Sequence, residues 1–155
     1  MIVVIDNFLN KNEIDIIMNL WVENPEFSET AIHFYFTDLF PIKHKLNIKH
    51  GLFSSNFFKK IRLQKYNESF NQMETYHGHV NKENIIIFLN DDFDGGILEF
   101  ECGIFIKPKK GNLVYFNKNE HHRVSNCIGD RYTFTALGDE NIFYKLQELN
   151  TKSIL

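Results

Sequence analysis

A mainly antiparallel β domain with helices flanking one sheet is the fold class this sequence predicts, on three observations. From Ile61 onward the chain breaks into short β-forming runs separated by turn sequences. Hydrophobic residues make up 43% and aromatics 15%, with sixteen Phe, enough apolar volume to fill an interior. At 155 residues the chain suits one domain, expected to run 1–155, and is short for two.

Residues 2–6 read as a short strand. Asn10-Lys11-Asn12-Glu13 then opens a helical pattern carried by Ile14, Ile16, Ile17, Leu20 and Trp21, with Asn10 as N-cap and Glu13 completing a capping box. Asn24-Pro25 should end that helix, because the residue before proline is pushed out of the helical region. Residues 28–58 are rich in aromatics (Phe34, Tyr35, Phe36, Phe40, Phe53, Phe57, Phe58) without clean periodicity, and are expected to supply a second helix and a loop over the site.

Strands are expected near 61–66, 75–79, 84–89, 96–100, 103–107, 112–116, 121–125 and 131–137. Asp91-Asp92-Phe93-Asp94-Gly95-Gly96 and Pro108-Lys109-Lys110-Gly111 are turn sequences between them. Residues 141–149 add a last helix. Eight such strands suit a double-stranded β-helix, a jelly roll, with N-terminal helices packed on one sheet and an interior able to hold a metal and a small ligand.

Net charge is −3, the isoelectric point is about 6.1 and no block of like charge occurs, so a nucleic acid partner is not expected. The densest basic spots, Lys59-Lys60-x-Arg62 and Lys107-x-Lys109-Lys110, read as solvated faces. Cys102 and Cys127 lack CxxC spacing and read as buried, inert thiols of a reducing compartment. The apolar start, Met1 to Ile5, is far too short for a secretory core or a membrane span; a cytoplasmic protein with no membrane partner is expected.

The chemistry concentrates in His77-Gly78-His79, His122 and Arg131. Residues two apart on a strand point to one face, so His77 and His79 can grip one ion from one side. His122 opens another β-forming stretch and supplies a third donor, leaving the opposite positions of the metal open for an organic acid and dioxygen. His121 is expected to face outward, and His33, His44 and His50 lack such partners.

Several phrases, in order, resemble the prolyl 4-hydroxylase-like branch of the iron(II)- and 2-oxoglutarate-dependent dioxygenases. They are Ile5-Asp6-Asn7-Phe8-Leu9 before an acidic helix, Arg62-Leu63-Gln64-Lys65-Tyr66, Phe88 to Phe100 with its Asp-Phe-Asp-Gly-Gly hairpin, Ile106 to Phe116, His122-x-Val124 and Gly129-Asp130-Arg131-Tyr132-Thr133. The resemblance implies Fe(II) and 2-oxoglutarate, with decarboxylation of the co-substrate coupled to hydroxylation of a C–H bond in a prolyl or other peptidyl substrate or a small molecule. It makes His122 the distal iron ligand and Arg131 the anchor of the far carboxylate of 2-oxoglutarate, with Thr133 and Tyr66 as further contacts. A guanidinium suits that role, since it offers two parallel donors to a carboxylate.

The family places an aspartate where this chain has His79. Three metal assignments stay open: His77, His79 and His122 together; His79 and His122 with Asn81 as an oxygen ligand; or a member that has lost its metal. Glu74 and Glu83 are spare carboxylates, and His77-x-His79-x-x-x-Glu83 also resembles the metal motif of cupins. A catalytically inactive, cupin-like ligand-binding module is therefore the competing expectation.

Overall fold

The computed structural model describes residues 1–23, 28–30, 34–54, 56–68, 75–79, 83–138 and 142–154. Its elements are β1 (Ile2–Ile5), α1 (Lys11–Glu23), β2 (Ser28–Thr30), β3 (Phe34–Asp38), β4 (Phe58–Tyr66), β5 (Glu83–Phe88), β6 (Asp94–Gly95), β7 (Leu98–Phe100), β8 (Phe105–Ile106), β9 (Leu113–Asn117), β10 (His122–Val124), β11 (Cys127–Ile128), β12 (Arg131–Gly138) and α2 (Ile142–Ile154). Two 3-10 turns, Phe40–Lys45 and Lys49–Ser54, precede β4.

A seven-stranded antiparallel sheet runs β1-β9-β5-β12-β4-β3-β2. Facing it are a three-stranded sheet, β10-β7-β8, and a two-stranded pair, β11-β6. This is the jelly-roll arrangement the turn spacing predicts.

Strand alternation sorts the large sheet's residues into two interiors. Ile61 and Leu63 of β4, Ile85 and Ile87 of β5, Leu113 and Tyr115 of β9, and Phe134 and Ala136 of β12 pack with Ile14, Ile17 and Leu20 of α1 and Ile142 and Leu146 of α2. Their sheet neighbours Phe88, Val114 and Phe116 instead join Leu98, Phe100 and Val124 of the small sheet. Because both faces are covered, the central strands read as near-continuous apolar runs, Ile85-Ile86-Ile87-Phe88 above all.

Helix α1 begins as its sequence dictates. The Glu13 amide donates to Asn10 Oδ1 at 2.9 Å and the Asn10 amide to Glu13 Oε1 at 3.1 Å, closing the capping box.

Three expectations are corrected. Residues 28–58 hold no α-helix among the described residues; two strands and the 3-10 turns stand there instead, extending the large sheet beyond β4. Aromatics without helical periodicity suit an edge hairpin, where β propensity decides. The stretch 75–79 is not a full strand: only His77 makes a bridge, to His122. Cys102 is exposed, in the turn after β7, while Cys127 is buried as expected.

Candidate metal centre

His77 and His122 are directly opposed across that antiparallel bridge. The His77 amide donates to the His122 carbonyl at 3.0 Å and the His122 amide returns the bond at 2.9 Å. Opposed residues of such a pair send their side chains to one face. His79, two residues on, joins them: the donor atoms of His77, His79 and His122 all lie within 4.8 Å of one another. An ion with bonds of roughly 2 Å needs neighbouring donors about 3 Å apart, a distance that small ring rotations reach from here.

Neighbouring contacts aim the rings. His77 Nδ1 lies 3.2 Å from the Thr75 carbonyl and His122 Nδ1 3.2 Å from the Glu120 carbonyl, so each Nδ1–H donates to backbone and the lone pair is left on Nε2. Phe116 and Phe100 pack on the His122 ring, with centroids 4.6 and 6.0 Å away. Beside His77, the Tyr76 ring lies 4.2 Å from the Arg123 guanidinium, whose Nε donates to Glu99 at 2.8 Å.

Burial pushes His122 down to about 4, opposed by the Glu120 carbonyl and reinforced by His77 and His79. His79 is lowered first by burial, then by the charges of His77 and Arg62. Neutral imidazoles are the metal-binding form, so these shifts keep the donors ready at neutral pH.

The three histidines line a cavity whose floor is the inner face of β4, β5 and β12. Arg131, 1% exposed, closes one end with Thr133 and Tyr66. Its Nε donates to the Gly96 carbonyl at 3.0 Å, and its guanidinium lies 5.6 Å from the Tyr66 ring and 5.5 Å from that of Phe88. Gly96 makes this passage possible: a Cβ there would stand 2.7 Å from Arg131 Cδ and 2.9 Å from the Phe93 ring, at φ +61°. The second glycine of the hairpin is thus required by the arginine behind it.

The arrangement suits an iron centre with a dicarboxylic acid beside it. Three imidazole nitrogen donors cluster, and a buried cation able to bind a carboxylate from two nitrogens stands in the same cavity.

His121 points away, half-exposed and paired with Glu101 at 3.2 Å, as its position implied. Glu83, the carboxylate a cupin pattern needs, lies on the opposite face of β5, where it accepts the Ile142 amide at 2.6 Å. Asn81 and Glu74 lie outside the described residues. Sequence reasoning missed Arg62, taken for a solvated basic spot, and Asn84, both of which line the cavity. For Arg62 a signal was present: Arg62, Gln64 and Tyr66 alternate on one strand, so a cavity-facing Tyr66 places Arg62 in the same wall.

Residues 62–137 match the family model of the 2OG-Fe(II) oxygenase superfamily. No curated protein sequence matches the chain. Among solved structures, a 2OG-Fe(II) oxygenase-family oxidoreductase from Burkholderia pseudomallei is similar with TM-score 0.71 and 14% identity, over 89% of this chain and 86% of that one. A viral collagen prolyl hydroxylase from Paramecium bursaria Chlorella virus-1 aligns with TM-score 0.67 and 18% identity, over 88% and 94%. A prolyl hydroxylase from Trichoplax adhaerens, in complex with a hypoxia inducible factor peptide fragment, gives TM-score 0.69 and 14% identity over 98% and 86%. At these identities the likenesses establish the fold, and the segment that matches the 2OG-Fe(II) oxygenase superfamily, about half of this chain, contains all three clustered histidines and Arg131.

Proposed function

We propose that His77, His79 and His122 hold the iron(II) of this oxygenase, and that Arg131, with Thr133 and Tyr66, binds the far carboxylate of its 2-oxoglutarate. The observation that carries the assignment is the His77–His122 bridge, which brings three imidazoles within 4.8 Å in the cavity that Arg131 closes. When bound, iron(II) with 2-oxoglutarate supplies the oxidative decarboxylation to succinate and carbon dioxide that drives hydroxylation of a substrate C–H bond by dioxygen.

The chain's own part is positional. The Thr75 and Glu120 carbonyls fix the tautomers of His77 and His122, so that Nε2 is the metal-facing atom. The Gly96 carbonyl fixes the Arg131 guanidinium at the closed end, which sets how far the co-substrate reaches toward the histidines. Phe88, Phe116 and Val124 exclude water around them.

The proposed substrate is a peptide or small molecule that offers one group to the cavity mouth, and the protein acts in the cytoplasm as a single domain. Supporting this, Cys102 and Cys127 are free thiols, no described helix is long and apolar enough to cross a membrane, and the net charge of −3 gives nucleic acid no basic track. Anaerobic titration with iron(II) and then 2-oxoglutarate tests the assignment. A visible absorption band should form in the wild type, fail in His77→Ala, His79→Ala and His122→Ala, and need far more 2-oxoglutarate in Arg131→Ala. Unchanged iron binding in all three histidine variants refutes it. His79 in place of a carboxylate favours one other reading, a metal-binding module without oxygenase activity; metal uptake with no succinate release from any substrate is its signature.

A further inference from the structure

The end of the cavity away from Arg131 is also polar. On β12 the inward residues run Arg131, Thr133, Thr135, Leu137, and the register sets Arg62 opposite Thr135 and Asn84 opposite Leu137. Thr135 lies four residues from Arg131, roughly 13 Å along the strand. An apolar wall would serve a co-substrate that is already anchored at Arg131.

Asn84 is the informative side chain. It is 1% exposed in the middle of the seven-stranded sheet, and its Nδ2 donates to the Phe116 carbonyl at 3.3 Å. That bond fixes the amide's orientation, since the flipped form would set two oxygens against each other. Asn84 is one of the residues lining the cavity, and its buried Oδ1 has no hydrogen-bond donor among the described residues. A buried acceptor left so costs about 1–3 kcal/mol, which structure alone does not repay. Across β12 from it, and two register positions away, Arg62 is half-buried with Asp38 opposite in the register of β3, and its charge bears on His79.

We propose that Asn84 and Arg62 form the substrate-reading end of the cavity, Asn84 Oδ1 accepting an N–H of the substrate while Arg62 donates to an adjacent oxygen. This rests on the assignment of Arg131 and the histidines to the co-substrate and the metal. The class it selects is an amide or amino-acid unit with an N–H beside its carbonyl or carboxylate. A peptidyl proline has no hydrogen on its own nitrogen and meets this requirement only through the N–H of the residue that follows it.

The test uses the iron- and 2-oxoglutarate-loaded protein under anaerobic conditions. The probes are the free amino acids and their N-acetyl methylamides, each against its N-methylated counterpart, with binding read by ligand-observed NMR. At least one N–H-bearing probe should bind the wild type, about tenfold more tightly than its N-methylated form. Asn84→Leu should erase that preference while leaving 2-oxoglutarate affinity unchanged and thermal stability unchanged or raised. Arg62→Met, a milder change at a half-buried site, should weaken the same probe by about tenfold and also spare 2-oxoglutarate. The proposal is overturned if no probe binds, if N-methylation is without effect, or if Asn84→Leu and Arg62→Met retain the preference. It is equally overturned if either variant loses 2-oxoglutarate affinity, which would give this end of the cavity to the co-substrate. Failure of the wild type to bind iron or 2-oxoglutarate sinks the metal-site assignment instead, and is seen separately.

Discussion

His122 makes the stability of the metal-free protein depend on pH in a way that can be worked out beforehand. Burial lowers its folded-state value from 6.5 to about 4, so between those limits the unfolded chain binds a proton that the folded one refuses. The sign follows from linkage: the contribution is present in full above pH 6.5 and is lost as pH falls toward 4. At pH 5 the unfolded imidazole is almost wholly protonated and the folded one almost wholly neutral, which removes about 2 kcal/mol relative to pH 8. His122 is 3% exposed, so solvent screening leaves this figure nearly intact. The measurement is urea unfolding of chelator-treated protein at pH 8 and pH 5, wild type against His122→Asn. His79 shifts in the same direction and remains in both proteins, so the difference between the two pH dependences isolates His122. Equal losses on acidification would show that the ring protonates freely in the folded state, and the closed packing by Phe100 and Phe116 would be wrong.

Gly96→Ala should cost about 1–3 kcal/mol in thermal unfolding, because alanine enters a left-handed conformation and its Cβ meets Arg131 and Phe93; 2-oxoglutarate affinity should fall with it. Arg131→Lys keeps the charge but loses the fork and the tie to Gly96, and isothermal titration should show 2-oxoglutarate binding weakened by roughly tenfold to a hundredfold. Gly78→Ala places a methyl 2.9 Å from the His121 ring, which is held by Glu101; metal affinity measured by chelator competition should drop while global stability changes by less than about 1 kcal/mol.

The sequence was most legible where one periodicity served one burial pattern. Capping chemistry placed α1, turn residues separated the strands from β5 onward, and the His-x-His spacing with a later His picked out three imidazoles that the fold brings together. Less visible was anything defined by pairing. Only the register shows that His77 meets His122, and only the packed fold shows that Gly96, between β6 and β7, makes room for Arg131. Residues 28–58 misled because their aromatic content carries no period from which strands could be told from a helix. Asn84 escaped for a related reason: it is a common surface residue type by composition, and only the topology turns its strand's face toward the cavity.

The exchange of a carboxylate for His79 changes how metal and co-substrate depend on each other. Three imidazoles contribute no charge, so in the proposed centre the ferrous ion keeps both positive charges and the co-substrate's own carboxylate becomes its anionic donor. Metal and 2-oxoglutarate should therefore strengthen each other's binding, and by the same factor, because coupling between two ligands is reciprocal. Couplings of this kind run to about 1–3 kcal/mol, or roughly fivefold to 150-fold. Manganese(II) allows the measurement without turnover: its affinity is titrated with and without 2-oxoglutarate, and the co-substrate's with and without manganese. In His79→Asp the new carboxylate neutralises part of the ion's charge, so manganese alone should bind more tightly and the coupling should shrink. A coupling of equal size in the two proteins would mean that position 79 does not touch the metal, and that the third donor must be sought elsewhere.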